Sequence, residues 1–347
     1  MLRLRALDVQ VGVGLMCAAT ALATCAERKT PVTDLGEVRA SGWPQYMAWS
    51  PDSKELYFVL EEDLKLHAVD ADAGPDRVLS DLQMIFPTTS ADGTAVFYLD
   101  SGGKGGDNVP PLLYRAPLAN GQFGPAVVAA SDVTPNYVVS FDGNRVVFAD
   151  YSSRLVAVDV GVGPIGTFAM ALPLALSPDG LQVAAYDFSG VSQGAIVVDL
   201  MTGVRQALPT TSDHYYVIRW EGNAPRTIVD AFRVTDLLTG DYHDLPVGMV
   251  AAFGGDPFRP THAFVWDSFC IQEETKVIEN IPVTLCVVYQ FQLQRVDLET
   301  YAGDVVAQAG GFSTLTAVSP DGRRLANAFP SGPDGSPTIY IKTIGTP

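Results

Sequence analysis

Gly190-Val191-Ser192-Gln193-Gly194 has the spacing of a serine nucleophile elbow. That chemistry needs a strand, a strained turn and then a helix to lift the hydroxyl into reach of a substrate. Here a new turn signal starts at Asp199-Leu200 and no helical pattern follows, so the segment reads as a hairpin loop. The four histidines, His67, His214, His243 and His262, form no H-x-x-x-H or H-E-x-x-H pair of the kind that holds zinc. Ser101 to Gly106 is glycine-rich but lacks the G-x-x-x-x-G-K-S/T spacing of a phosphate-cradling loop and runs toward Pro110-Pro111. No catalytic, cofactor-binding or metal-ligating residue is therefore expected. Two patterns remain. Five aspartates, Asp100, Asp150, Asp187, Asp230 and Asp267, each close a short apolar run. Aromatic residues beside polar ones recur at Trp43, Gln45, Tyr46, Phe86, Asn136, Tyr137, His214, Tyr215 and Tyr216.

The elements that must position these residues come from a repeat. A short phrase recurs as SPDS at 50–53, SADG at 90–93, SFDG at 140–143, and SPDG at 177–180 and 319–322. An apolar run precedes each phrase and another restarts four residues after the Asp, at Leu56, Val96, Val146, Val183 and Leu325. Strand, Asp-Gly turn, strand is hairpin chemistry. A second phrase, D-x-x-T-G, stands at Asp199 to Gly203 and Asp236 to Gly240, with looser copies from Asp70 and Asp297. One more short run follows each, so a unit holds four strands, a to d. The phrases lie 40, 50 and 37 residues apart up to residue 177, and the 142 residues from there to 319 leave room for three more units. Trp220-Glu221-Gly222-Asn223 and Gly255-Asp256-Pro257 are degenerate turns at suitable places. Seven units of this period predict an all-β, seven-bladed β-propeller of four-stranded antiparallel blades. The last unit supplies only three strands, ending Ile339-Tyr340-Ile341. The lone run Leu35 to Arg39 is expected to close the ring as its fourth strand and so hide an open edge.

In that architecture the five aspartates end successive b strands and share one face of the disc, with the aromatic loops leading into the a strands. The aspartates would cap their own turns, or form an acidic rim that attracts cations or a basic partner. Strand b lies one strand out from the channel, so a single shared ion is out of their reach. The aromatics suit contact with protein or carbohydrate, or packing between blades.

The phrase SPDG-x-x-(Leu/Val)-Ala resembles the TolB-type propeller repeat, itself similar to WD-type repeats, over most of residues 33–345 of a single propeller domain expected at 33–347. The resemblance implies the fold and little about activity, because propellers host enzymes, receptors and scaffolds alike. The SPDG phrases do not match the S-x-D-x-G Asp box of sialidases.

Composition narrows the partners. Hydrophobic residues make up 47% and charged residues 18%, a globular balance. Lys plus Arg number 22 against 39 Asp plus Glu, a net charge of −17, which disfavours nucleic acid. Arg3 and Arg5 precede an apolar stretch from Val9 to Thr24, and Glu27-Arg28-Lys29 follow at once. Residues 1–24 therefore read as a secretory signal, too short to be a membrane span. Leu22-Ala23-Thr24-Cys25 resembles a bacterial lipobox, which implies lipidation at Cys25 and a short linker 25–32, with the lipid as the only membrane attachment; the address expected is periplasm or outer membrane, and by the same resemblance Ala26 after the Cys points to the outer membrane. Ordinary cleavage after Ala21-x-Ala23 stands as the alternative. Cys270 and Cys286 are the two cysteines left to the folded part and in an exported domain read as a disulfide. The function expected is non-enzymatic binding or scaffolding in a Gram-negative envelope, by a monomer that contacts an envelope protein or carbohydrate through one loop face. The alternative is a hydrolase or lyase with its site at the channel mouth.

Overall fold

The computed structural model describes residues 34–72, 74–100, 111–119, 122–189, 194–209, 217–229, 233–245, 249–256, 259–278, 281–310, 313, 315–329 and 338–345. The signal segment with Cys25, the glycine-rich stretch at 101–106, Ser192, His214, Tyr215, Tyr216 and Asp230 lie outside the described residues.

Every regular element among the described residues is a β-strand. β1 (Glu37–Ser41) precedes the first repeat unit. The first sheet is β2 (Pro44–Trp49), β3 (Glu55–Leu60), β4 (Leu66–Asp70) and β5 (Arg77–Ser80), paired in that order. The second is β6 (Met84–Thr89), β7 (Ala95–Asp100), β8 (Leu112–Ala119) and, past a two-residue strand β9 (Gln122–Phe123), β10 (Val127–Ser131). The third has seven strands: β11 (Tyr137–Val139), β12 (Arg145–Ala149), β13 (Arg154–Asp159), β14 (Gly163–Leu176), β15 (Gln182–Asp187), β16 (Gly194–Asp199) and β17 (Arg205–Ala207). β14 belongs to two repeat units. Residues 163–170 ladder with β13, and residues 171–176 ladder with β15. The fourth sheet is β18 (Val217–Glu221), β19 (Ala224–Val229), β20 (Arg233–Asp236) and β21 (Tyr242–Asp244). The fifth is β22 (Met249–Asp256), β23 (Arg259–Ile278), β24 (Ile281–Asp297) and β25 (Gly303–Ala309). The sixth joins β26 (Leu315–Val318), β27 (Arg324–Phe329) and β28 (Thr338–Thr343) to β1, which pairs antiparallel with β28, Glu37 opposite Ile341 and Ser41 opposite Thr338. Asp34 adds a bridge to Gln308 in the preceding sheet.

The sheets stack through apolar faces. The second strand of a unit is buried on both sides, as in Leu56, Phe58 and Val59 or Val146 and Val147, because each face meets a neighbouring sheet. Tyr57, Val59 and Leu66 pack against Val96, Tyr98 and Ala116. Val147 and Leu155 pack against Val183, Ile196 and Val198. Ile218, Trp220 and Ile228 meet Val197 and Leu208. At the chain's two ends, Trp49, Leu56 and Phe58 pack against Ala326, Ile339 and Ile341, so the last sheet lies on the first.

Candidate binding surfaces

The recurring phrase is a turn device. In all five copies the Ser hydroxyl donates to the Asp two residues on, at 2.5–2.7 Å: Ser50 to Asp52, Ser90 to Asp92, Ser140 to Asp142, Ser177 to Asp179 and Ser319 to Asp321. The same Asp accepts the backbone N–H two residues further, as Asp142 does from Asn144 at 3.0 Å. The Ser Oγ accepts the N–H that opens the next strand, as from Arg145 at 2.9 Å. The Ser50 hydroxyl holds the Asp52 carboxyl below its ordinary range. The D-x-x-T phrase works alike: Asp199 accepts from Met201 N, Thr202 N and Thr202 Oγ1, and Asp297 does the same with Glu299 and Thr300. These side chains are spent on local backbone, the use expected of Asp and Ser in turns.

Turns of neighbouring units are also tied together. Arg145 makes a bidentate pair with Asp159 and donates through Nη1 to Gly180 O at 2.6 Å in the following turn. Arg324 grips Asp72 with Nη2 and donates through Nη1 to Ser53 O at 2.9 Å, linking the last unit to the first. A planar fork suits this double duty better than a lysine would. Sequence reading missed both arginines; their place at the opening of a b strand, right after the turn phrase, was the available signal.

The b-strand aspartates separate on inspection. Asp150 is buried and accepts from Ser152 N, Arg154 N and Arg154 Nε at 2.7–2.8 Å. Burial opposes its charge, but those bonds outweigh it and hold the carboxyl below its ordinary range. Asp187 is buried and accepts from Ser189 N at 2.7 Å. Asp100 is the exposed last residue of β7. Asp267 does not end its strand, against expectation: β23 continues to Ile278, because Ser268 to Ile278 ladders onto Ile281 to Phe291 instead of turning.

The aromatic set divides too. Tyr46 lies within β2, its hydroxyl bonded by Thr88 and Thr89, and burial pushes its pKa up. Tyr137 donates to Phe97 O at 3.2 Å and to Phe86 O, and burial pushes it well above its usual value. Both anchor one unit to another. Trp43 and Phe86 are exposed, 39% and 54%. Trp49, Thr88, Thr89, Tyr137, Leu176 and Pro320 line a cavity of about 350 Å³ at the innermost strands. A larger cleft of about 460 Å³ lies where β18 and β19 meet the turn after β24. Its charged groups are paired across it, Arg219 with Glu299 at 2.9 Å and Arg226 with Asp236 at 2.8 Å. Among the described residues no group of three or more His, Cys, Asp or Glu side chains converges to hold a metal.

No family model matches the chain, and no curated protein matches it. Solved structures do. A chain of the mitotic checkpoint complex aligns at TM-score 0.53 and 14% identity, over 99% of this chain and all of that one. The hydrazine synthase of Kuenenia stuttgartiensis aligns at 0.54 and 12% identity, over 89% and 98%. The oligogalacturonate lyase of Vibrio parahaemolyticus aligns at 0.58 and 12% identity, over 89% and 92%. The fold is a β-propeller.

One part of the propeller leaves the body. Among the described residues β22 covers β23 as far as Trp266, and β25 covers β24 from Phe291 onward. Between those limits β23 and β24 run on as a two-stranded arm on the side of the b-to-c turns. Cys270 and Cys286 are disulfide-bonded across it, with Cα atoms 5.7 Å apart. The pair clamps the arm near two shifts of register, and the ladder from Glu273–Cys286 to Ile278–Ile281 lies beyond it. Phe269, Leu285, Val287 and Tyr289 on the arm are 37–47% exposed. Glu273 to Lys276 are polar, and the β-forming run Val283 to Phe291 opposite supplies their ladder.

Proposed function

We propose that this chain is a seven-bladed propeller, closed by β1 on β28, that serves as a non-enzymatic binding module and uses the face of its b-to-c turns, with the β23–β24 arm as the contact element. The blade count rests on dividing β14 between two units, and closure on the β1–β28 ladder. The observation that carries the binding reading is the arm: an ordered, disulfide-clamped hairpin that keeps Phe269, Leu285, Val287 and Tyr289 in water. Apolar side chains grouped on a projecting element mark a surface to be covered. The signal-like segment and Leu22-Ala23-Thr24-Cys25 support export to a bacterial envelope with a lipid on Cys25, so the partner we envisage is an envelope protein.

The enzymatic alternative draws on His262, which shares a cleft of about 270 Å³ with Arg295, Asp297 and Asp304. There Asp297 caps its turn and Arg295 is bidentate with Asp304 at 2.9–3.0 Å, which favours a structural role. The likeness to a lyase is one of fold.

A photo-crosslinking residue at Leu285 or Tyr289, compared with one at exposed Val204 on the opposite face, tests the reading in envelopes of the native host. Discrete adducts from the arm positions and none from Val204 are expected. Equal labelling from both faces, or none from the arm, overturns it.

A further inference from the structure

Among the described residues the arm is open along both edges. Outside the reach of β22 and β25, residues 268–278 and 281–290 ladder only with one another among the described residues. Unpaired strand edges are templates for another strand. The two edges differ. Two residues connect Ile278 to Ile281, so pairs alternate outward from that hydrogen-bonded pair. Thr275 and Thr284 then form a pair whose N–H and C=O groups point away from each other, and their hydroxyls lie 3.2 Å apart, as side chains in such pairs do. By the same alternation Val277 and Pro282 also face outward. Pro282 has no N–H, so the β24 edge is blunted there, whereas β23 offers the outward N–H and C=O groups of Glu273, Thr275 and Val277.

We infer, resting on the arm as contact surface, that its occupant is a second copy of the same arm, paired antiparallel through β23 with Thr275 opposite Thr275. Register selects this pairing. Hydrogen-bonded pairs must join outward-facing residues, so the twofold axis can fall only at a single residue of the strand. An axis at Glu273 or Glu274 sets two glutamates opposite each other, and an axis at Lys276 sets two lysines opposite each other. An axis at Thr275 puts Glu274 opposite the partner's Lys276 and Lys276 opposite the partner's Glu274. Opposite charges directly across a ladder stabilise it and like charges destabilise it. Glu274, Thr275 and Lys276 are all exposed. The net charge of −17 opposes contact between two bodies. The arm offsets this: Thr275 stands ~25 Å from Asp267 at ~3.3 Å per residue, so the bodies stay apart by several screening lengths of ~8 Å. This replaces the expectation of a monomer.

Sedimentation equilibrium of the exported chain in 0.15 M salt reads the state directly, and a dimer is expected. Lys276→Glu places glutamate against glutamate twice and should weaken association about tenfold or more. Glu274→Lys/Lys276→Glu restores the pairing with reversed signs and should restore the dimer. Thr275→Pro removes the central outward N–H and should give monomers with an unchanged melting temperature. A parent chain that is monomeric at ~100 µM, a concentration at which even micromolar dimers form, overturns the inference. So does a dimer indifferent to Lys276→Glu, or one that the double exchange fails to rescue. If the dimer fails while a crosslinker at Leu285 still captures a different protein, the arm is a contact surface for that protein and only the self-pairing is wrong. If crosslinks from Leu285 also vanish, the binding reading falls with it.

Discussion

The body and the arm use similar strand sequences to opposite ends. In the body, strand b is walled by sheets on both faces, and Leu56, Phe58, Val146 and Phe264 have almost no exposure. Its polar phrases are consumed by their own turns and by the turn next door, as Arg324 is by Ser53 and Asp72. In the arm, β23 and β24 keep the same ladder, and among the described residues no further strand pairs with either edge. A disulfide stands where the packing would be. Stability in the body is thus cooperative and distributed over faces; in the arm it is local and rests on a ladder and one covalent link. Apolar side chains exposed on the second kind of element are available to a partner, which is why we propose the arm and not the regular turns as the contact element.

The largest expected effect breaks the body at its joint. Deleting residues 34–41 removes β1 from β28 and leaves the edge of Thr338–Thr343 bare. The deletion variant should be aggregated or insoluble when refolded, while the parent is not. A variant as soluble and heat-stable as the parent would show that β1 is dispensable. Next, Phe264→Ala empties a buried site packed among Trp266, Leu293 and Leu325 and should cost about 3–5 kcal/mol in denaturant unfolding. Leu285→Ala on the arm should cost less than about 0.5 kcal/mol by the same measurement. Equal costs at the two sites would erase the contrast. Third, Cys270→Ser/Cys286→Ser opens a crosslink of sequence separation 16. On the chain-entropy model that is about 3 kcal/mol, confined to the arm. Amides of residues 273–286 should exchange faster while those of β3 and β12 keep their protection. Faster exchange throughout would mean that the arm is cooperative with the body.

Most of the body was legible in the sequence because its turns are chemical. Ser-x-Asp-Gly needs a left-handed Gly, and Gly93, Gly143, Gly180 and Gly322 all have φ between 62° and 69°. The hydrogen bonds that make these phrases recognisable also engage their polar side chains locally. Unit five was found through Gly222 of a degenerate turn, with φ of 59°. The arm was not legible. Asp267 looked like the other strand ends, because a ladder such as that of Glu273-Glu274-Thr275-Lys276 depends on the run facing it, which local composition does not report. The disulfide was legible from the cysteine count, but a count does not say whether it staples a loop or clamps a hairpin.

The smallest expected effect separates body from arm by pH. His262 lies against Asp297, with Nε2 3.6 Å from Oδ2, and its Nδ1 is 2.8 Å from Thr261 Oγ1. Burial pushes its pKa below the usual value, and Arg295 acts in the same direction, against the opposing pull of Asp297 and Asp304. The folded body therefore prefers the neutral ring. The unfolded chain takes up a proton near pH ~6.5, so this preference stabilises fully above that pH and is lost as pH falls toward the lower folded pKa. Asp297 is held low by its bond from Thr300 N and supports stability until more acid conditions. The two ranges are separable, and the arm segment 267–292 contains no histidine. Unfolding free energy measured between pH ~7 and ~5 should slope downward, and His262→Asn should flatten that slope without changing amide exchange in the arm. A slope unchanged by His262→Asn would place the proton uptake elsewhere. A slope that moved with arm exchange would couple the two regions that the packing keeps apart.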